Sequence, residues 1–204
     1  MSFSTYNDFK TAVANWTHRD NLATYLDDII TVAENRIFRE VRARSMEDRS
    51  TLNTAISSGV VALPSGYVAL KYAYIDGTPV SPLQRKSAEW IMQNYPTRSG
   101  GGRPVFIARD GEYFIFGPYP DSTYTVKGTY YKRLTSITGG TLNTLFTDHE
   151  DLYLSASIAA AGKFASNLKL MNTWEAEYQR IRNEINGEER AENYSGSPLA
   201  MTAA

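Results

Sequence analysis

The residues that could perform catalysis are few and widely spaced in this chain of 204 residues. His18 and His149 are the only histidines, and each stands beside a predicted helix start. A histidine-centred triad or a two-histidine metal site therefore has little to draw on. Cysteine is absent, so thiolate nucleophiles, disulfides and zinc–thiolate sites are excluded together. We expect no catalytic residue, no metal and no cofactor.

Carboxylates are the remaining candidates for acid and base chemistry. Glu40, Glu47 and Asp48 cluster where a predicted helix gives way to predicted strands. Glycoside hydrolysis needs two such groups about 5–10 Å apart, but any chain with 22 acidic residues offers pairs of this kind by chance. A cell-wall hydrolase is therefore the weakest of the three functional hypotheses that the sequence raises; the other two are given below.

A glycine-rich segment is the one stretch that could cradle a phosphate. Phosphate loops direct backbone N–H groups from the start of a helix, whereas here Pro104 and a predicted strand follow. We interpret the segment as a flexible loop at the tip of a β region. The residues assigned to this tip loop are Arg98, Gly100, Gly101, Gly102 and Arg103.

The charge balance argues against tight nucleic-acid binding. The net charge is −1, from 21 basic and 22 acidic residues, and a DNA-binding protein usually shows a basic surplus or stripe. The main basic cluster alternates with acids and is interpreted as a solvated or ion-paired helix face; it comprises Arg36, Arg39, Arg42 and Arg44 among Glu34, Glu40 and Glu47. No apolar run approaches the about 20 residues of a membrane span, so we expect no membrane partner.

Hydrophobic periodicity predicts two helices before a β region. Thr5 and Asp8 are placed to form a capping box for the first helix. The apolar stripe from Leu22 to Val41 predicts a second helix of about 20 residues.

From residue 49 to residue 133 the period becomes two, and Asp-Gly pairs at 76–77 and 110–111 predict hairpin turns. Residues 50–56 and 59–63 are predicted to pair as a hairpin, and Ser87 to cap a short helix. The segment is therefore predicted to form an antiparallel sheet of about six strands.

The helical period returns in the last third of the chain. Thr147 and Glu150 have the spacing of a second capping box. The helix behind it is predicted to run from Asp151 to about Leu170, and its small residues place it at the centre of the helical core. A final helix is predicted to end at Asn186-Gly187, followed by a segment without period.

These elements predict an α+β fold in which two N-terminal and two C-terminal helices form a four-helix unit. Residues 1–48 and 134–186 are assigned to the helical unit. Residues 49–133 are assigned to an inserted β domain, and residues 187–204 to an extended docking tail. Nine of the 14 tyrosines lie between Tyr67 and Tyr131. A glycan- or single-stranded nucleic-acid-binding module on this aromatic sheet is therefore the alternative function.

The last eleven residues are the most informative stretch of the chain. They have neither helical period nor alternation, and they cannot bury enough surface to order themselves. Tyr194, Leu199 and Met201 offer apolar anchors, Gly196 permits a bend and Pro198 limits the unbound ensemble. The residues assigned to docking are Tyr194, Ser195, Gly196, Ser197, Pro198, Leu199 and Met201.

The order of these pieces resembles the head-to-tail adaptor proteins of tailed bacteriophages, which form the ring beneath the portal. The likeness covers nearly the whole chain, although members often carry a basic residue close after the last Leu and this chain ends with Met201-Thr-Ala-Ala204. The segments that carry it are Ala33–Arg42, Met46–Arg49, Val61–Tyr67, Ile75–Gly77, Gly102–Pro104, Gly117–Asp121, Tyr130–Tyr131 and Tyr194–Met201.

The resemblance implies a structural virion protein of the neck, made in the host cytoplasm. It implies a homo-oligomeric ring of twelve copies that continues the DNA channel, with genomic DNA passing through without specific binding. The helical part would face the portal protein and the β insertion would receive the tail or nozzle protein. The closing residues would lodge against or between portal subunits.

Overall fold

The computed structural model describes residues 3–49, 54–97 and 101–194, which fall into two compact units. One unit combines the chain up to Met46 with the chain from Leu134 onward, and the other is Glu47–Arg133. The first is helical and the second consists mainly of strands. The prediction of a mixed α+β fold is confirmed.

The described residues contain six α-helices. Three short 3-10 turns, Asp20–Tyr25, Arg44–Met46 and Ile137–Gly139, connect some of them. The helices are α1 (Tyr6–Thr17), α2 (Leu26–Glu40), α3 (Ala88–Asn94), α4 (Thr144–Asp148), α5 (Glu150–Phe164) and α6 (Leu168–Tyr194).

Helix α1 begins at the predicted capping box. The Asp8 amide donates to Thr5 Oγ1 at 3.2 Å, and the Thr5 amide donates to Asp8 Oδ2 at 3.0 Å. The helix buries Phe9 completely, with its ring edge-on to that of Phe146 at 5.0 Å between centroids. Such aromatic pairs contribute about 0.5–1.5 kcal/mol beyond their area, so α1 is held against the later half of the chain.

Helix α5 is the centre of the helical unit, as its small residues predict. It contacts α1, α2, α4 and α6, and it is buried from Leu152 to Ala159. Its predicted end near residue 170 is wrong, because Ser166 adopts a left-handed conformation with φ 54°. The Asn167 side chain then accepts a hydrogen bond from the Leu170 amide at 3.1 Å, which starts α6.

The predicted capping box at Thr147 is also wrong. Thr147 lies inside α4, whose N-cap is Asn143, with Oδ1 accepting from the Phe146 amide at 2.8 Å. A separate short helix, α4, therefore occupies the place of the predicted box, and it buries Leu145 and Phe146 completely. Glu150 instead accepts from the Phe3 amide at 2.9 Å, a bond across 147 residues of sequence.

A buried carboxylate fixes the point where the chain returns to the helical unit. Glu34 of α2 is 2% exposed. It accepts from the Ile137 amide at 3.1 Å, from Asn143 Nδ2 at 3.3 Å and from the Ser136 hydroxyl. The expectation that Glu34 belongs to a solvated helix face is therefore wrong.

Eight strands are found in the described part of the β unit. Their order across the sheet is β1-β8-β4-β5-β6-β7-β3, with β2 also pairing with β8. The strands are β1 (Glu47–Asp48), β2 (Thr54–Ile56), β3 (Val60–Ala62), β4 (Tyr67–Asp76), β5 (Ser81–Arg85), β6 (Phe106–Asp110), β7 (Tyr113–Gly117) and β8 (Tyr124–Lys132).

Two pairings differ from the predicted antiparallel sheet of about six strands. The segments 50–56 and 59–63 do not form a hairpin, because β2 pairs with β8 while β3 pairs with β7. Strands β5 and β6 are parallel, because the connection between them contains α3 and returns the chain to the same end. The predicted cap of α3 is confirmed, with the Trp90 amide donating to Ser87 Oγ at 3.1 Å.

Aromatic side chains fill much of the core of the β unit. Phe114, Phe116 and Tyr130 are each at most 2% exposed. Tyr67 packs edge-on to Phe114 at 5.3 Å and stacks with Tyr130 at 5.7 Å. The aromatic enrichment therefore serves packing first, as expected for a half-buried pleated surface.

Gly162 sets how closely α5 and α6 approach. A Cβ atom at Gly162 would lie 2.8 Å from the Met171 nitrogen and 3.0 Å from its Cα, both backbone atoms that cannot rotate away. We expect Gly162→Ala to lower the free energy of unfolding by about 1–3 kcal/mol through overpacking. Urea unfolding followed by far-UV circular dichroism measures this change.

The matched control is Gly187→Ala in α6, where an added Cβ meets nothing within 4 Å. This substitution should raise stability by about 0.5–1 kcal/mol, since Ala loses less backbone entropy than Gly in a helix. Equal effects at the two positions would show that the α5–α6 approach is not tight.

Candidate docking surfaces

Helix α6 leads directly to the predicted docking residues. Its buried positions follow helical spacing and are Tyr178, Ile181, Ile185 and Glu189. Near its start, Trp174 lies edge-on to Trp16 of α1 at 5.1 Å. The helix is therefore anchored along its length rather than frayed from one end.

A four-residue ionic cluster, with Tyr178 at its centre, joins α6 to α2. We call Arg36, Glu40, Glu175 and Arg182 together with Tyr178 the α2–α6 clamp. Arg36 donates to both oxygens of Glu175 at 2.6 Å and through Nε to Glu40 at 3.0 Å. Arg182 and the Tyr178 hydroxyl each donate to Glu40 Oε2 at 3.0 Å.

The charges of the clamp cancel, and its carboxyls are held ionised. Burial alone would raise the pKa of Glu40, but hydrogen bonds from Arg36, Arg182 and Tyr178 outweigh it and hold the pKa below its ordinary value. A hydrogen bond from Arg36 likewise lowers the pKa of Glu175 against the effect of burial. The clamp is thus a satisfied network in which each charge has a partner.

Asn186 explains why α6 does not end where the sequence suggests. Its Nδ2 donates to the Glu40 carbonyl at 3.0 Å, and its Oδ1 accepts from the Arg42 amide at 2.9 Å. The side chain thus satisfies the end of α2 instead of turning back on its own helix. The predicted stop at Asn186-Gly187 is therefore wrong, and α6 continues to Tyr194.

The last turns of α6 border an acidic pocket of about 250 Å³. Glu189 is 6% exposed and pairs with Arg44 Nε at 4.0 Å. Asp148, His149 and Glu188 also line the pocket. Within the described residues no group of three or more His, Asp or Glu side chains is arranged to hold a metal.

An apolar groove of about 300 Å³ lies between α2 and α5. Ile29, Val32 and Ala160 line it, and the Tyr25 and Phe164 rings meet beside it at 5.2 Å. Val32 and Phe164 are 62% and 54% exposed. Grouped apolar exposure of this kind marks protein–protein contacts.

Comparison with known families gives one match, which covers nearly the whole chain. The family described as SU10 adaptor protein matches residues 4–202. The chain belongs to this family of phage head-to-tail adaptors. The predicted resemblance is therefore confirmed. No curated protein matches the chain.

Family membership makes the adaptor a structural phage protein rather than a member of an enzyme family. Its possible catalytic groups have structural partners: Glu40 belongs to the clamp, Lys71 donates to Glu47 at 2.5 Å and Lys132 to Asp48 at 3.3 Å. His18 is the C-cap of α1 with φ 51°. In the described part of the adaptor, no helix is long and apolar enough to cross a membrane.

The predicted docking segment lies largely outside the described residues. Tyr194 is the last residue of α6. Ser195, Gly196, Ser197, Pro198, Leu199 and Met201 follow it, so their docking role stays a prediction. The structure adds only the position of the helix end from which they continue.

The predicted tip loop is partly described. Arg98 and Gly100 lie outside the described residues, whereas Gly101–Arg103 are described and lie close to Tyr119 and Pro79. The Gly102 amide donates to the Tyr119 carbonyl at 2.8 Å, and a Cβ on Gly101 would lie 1.7 Å from that oxygen. Arg103 donates to the Pro79 carbonyl at 2.6 Å, so this part of the segment is a close backbone corner of the β unit.

We expect Arg36→Gln to lower the free energy of unfolding by about 1–3 kcal/mol, because it removes charged hydrogen bonds from Glu40 and Glu175 at once. Arg180→Gln is the control: among the described residues Arg180 pairs with Glu177 and Glu184 of its own helix, and its side chain is 55% exposed. It should change stability by about 0–1 kcal/mol. Urea unfolding of both variants measures the difference, and equal losses would contradict a special role for the clamp.

The clamp also predicts how stability depends on pH. Because the folded pKa values of Glu40 and Glu175 are lowered, their contribution is complete above the ordinary value of 4.5 and is lost as pH falls through the folded values. Thermal unfolding between pH 7 and pH 3 should show a smaller decline below about pH 4.5 for Glu40→Gln/Glu175→Gln than for the parent chain. Parallel curves would show that other carboxyls cause the decline.

Proposed function

We propose that the chain is one subunit of a ring that joins the portal to the tail and continues the DNA channel. The observation that carries the proposal is the family match over residues 4–202, which includes both units and most of the closing segment. We further propose twelve copies per ring, a place in the virion neck, and synthesis in the host cytoplasm.

In this proposal the chain divides its tasks as the sequence predicts. The helical unit, up to Met46 and from Leu134 onward, has four longer helices, α1, α2, α5 and α6, and would face the portal protein. Residues 49–133 receive the tail or nozzle protein. The groove between α2 and α5 supports the proposal, since an assembly protein must expose apolar surface to its neighbours.

The closing segment would dock on the portal protein from a fixed starting point. The α2–α6 clamp and Asn186 hold α6 to within eight residues of Tyr194. A short peptide on a rigid helix loses less freedom on binding than the same peptide on a long flexible linker. Anchors such as Leu199 and Met201 contribute about 1.5–3 kcal/mol each when buried. A ring of tails would gain further strength by avidity.

The near-neutral composition supports a conduit through which genomic DNA passes without specific binding. A wall with many phosphate contacts would retain the DNA, because each contact adds to affinity. With a net charge of −1 the chain offers no general basic field.

Deleting residues 195–204 should reduce attachment to purified portal rings at least tenfold. Because α6 ends at Tyr194, this deletion leaves the helix and buried Glu189 intact, so circular dichroism should remain unchanged. Co-sedimentation with portal rings measures attachment, and negative-stain images show whether rings form.

Two point variants sharpen the test. Leu199→Ala/Met201→Ala should weaken attachment, whereas Ser195→Ala/Ser197→Ala, which alters the same segment without removing an anchor, should have little effect. Truncated protein that joins portal rings as well as the full chain would refute the docking role.

A further inference from the structure

Two arginines project from adjacent strands on the core face of the sheet. Arg85 follows the buried Leu83 by two residues on β5, and Arg109 follows the buried Ile107 by two residues on β6. Alternation along a strand therefore puts both on the face that carries the core. Since Arg85 pairs with Ile107 across the parallel strands, Arg109 is its diagonal neighbour, about 8 Å away by strand spacing and rise.

Neutral groups hold the two guanidinium groups in place. Arg85 donates to the Leu70 carbonyl at 2.6 Å and to the Lys71 carbonyl at 3.2 Å. Arg109 donates through Nε to the Gly111 carbonyl at 3.0 Å and lies 5.4 Å from the centre of the Tyr67 ring. Because carbonyl groups and aromatic rings carry no net charge, these contacts do not neutralise the positive charges of Arg85 and Arg109.

Neither arginine has an acidic partner among the residues that the structure describes, where no carboxylate oxygen lies within 4.0 Å of either guanidinium. The nearby Lys71 is engaged with Glu47 at 2.5 Å. Lys86 lies over the Trp90 ring at 5.0 Å. Two like charges without a counter-charge repel each other, so the arrangement favours an anion from outside.

The arginines and Lys86 border a cleft of about 330 Å³ whose other lining residues are apolar or aromatic. The lining includes Val68, Leu70, Ile107, Ala108 and Phe114, together with the Tyr67 ring. A cleft with an apolar floor and two guanidinium groups at its rim suits a short chain of carbon atoms that ends in a carboxylate. Guanidinium groups bind carboxylates through paired hydrogen bonds.

We propose that this Arg85–Arg109 cleft binds a carboxylate side chain from an acidic segment of a partner protein. A protein segment fits better than a nucleic acid, because the apolar floor of the cleft does not complement a charged phosphate backbone. Three cationic residues at one cleft, on a chain of net charge −1, also do not make the basic stripe that is usual for nucleic-acid binding. None of the residues of this cleft belongs to the closing segment, so the proposal does not rest on portal docking.

The direct test is a titration of the full-length ¹⁵N-labelled protein, observed at the arginine Nε–Hε resonances. The probe is a blocked peptide of four acidic residues around one phenylalanine, compared with the same peptide carrying amides in place of the carboxylates. Only the acidic peptide should shift the Arg85 and Arg109 resonances, in a saturable manner. A single-stranded oligonucleotide is titrated in parallel.

Variants confirm the location of binding. Arg109→Gln should weaken binding of the acidic peptide at least fivefold. Arg109→Lys keeps the charge but loses the forked pair of guanidinium donors, so its affinity should lie between those of Arg109→Gln and the parent protein. Arg180→Gln removes the same charge from α6 and should leave the affinity unchanged. The backbone amide spectrum of each variant shows whether it is folded.

Three results would overturn the proposal, and two of them use the unaltered protein. The first is the absence of a saturable shift when the acidic peptide is added to the unaltered protein. The second is tighter binding of the oligonucleotide to that protein, observed at the same resonances. The third is an affinity in Arg109→Gln equal to that of the parent.

Discussion

The helical unit depends on α2 holding the second half of the chain through two carboxylates. Glu34, inside the protein, accepts hydrogen bonds from the segment that leads back from the β unit. Glu40, two turns further on, receives Arg36, Arg182 and Tyr178 in the α2–α6 clamp. An ionised carboxylate without partners is costly away from water, so the buried Glu34 requires the later residues to arrive in one arrangement. The partly exposed Glu40 is held by its hydrogen bonds to the same part of the chain. The same carboxylates, which would destabilise the fold if they had no partners, therefore define how the returning chain packs against α2.

This arrangement bears on the adaptor role because it determines what α6 can do. The close backbone approach at Gly162 and the clamp hold its first half, while Asn186 and the Glu189–Arg44 pair hold its last turns. A family member that must position a docking peptide benefits from a helix that is held as far as Glu189. The β unit is built differently, around an aromatic core and with a parallel β5–β6 pair that brings Arg85 and Arg109 together.

Local signals predicted local structure well. The Thr5 capping box, the Ser87 cap and both Asp-Gly hairpins are confirmed, since each rests on residues within a few positions of one another. The resemblance to phage adaptors is confirmed as well. The predicted hairpin of residues 50–63 failed because turn residues do not specify which distant strand completes a sheet. The Thr147 capping box failed because burial of Phe146 outweighed a matching local pattern.

By itself, the sequence determined the α+β order of elements, the starts of α1 and α3, the central place of α5 and the family. These follow from periodicity, capping chemistry and segment order, all of which are local or linear properties. Only the tertiary structure decided that Glu34 is buried, that α6 passes Asn186 to reach Tyr194, and that two arginines 24 positions apart in sequence share one cleft. In each case the deciding partner comes from a distant part of the chain. Asn186 shows the reason most clearly: its side-chain amide bonds the end of α2, a partner that the local sequence around Asn186 does not reveal.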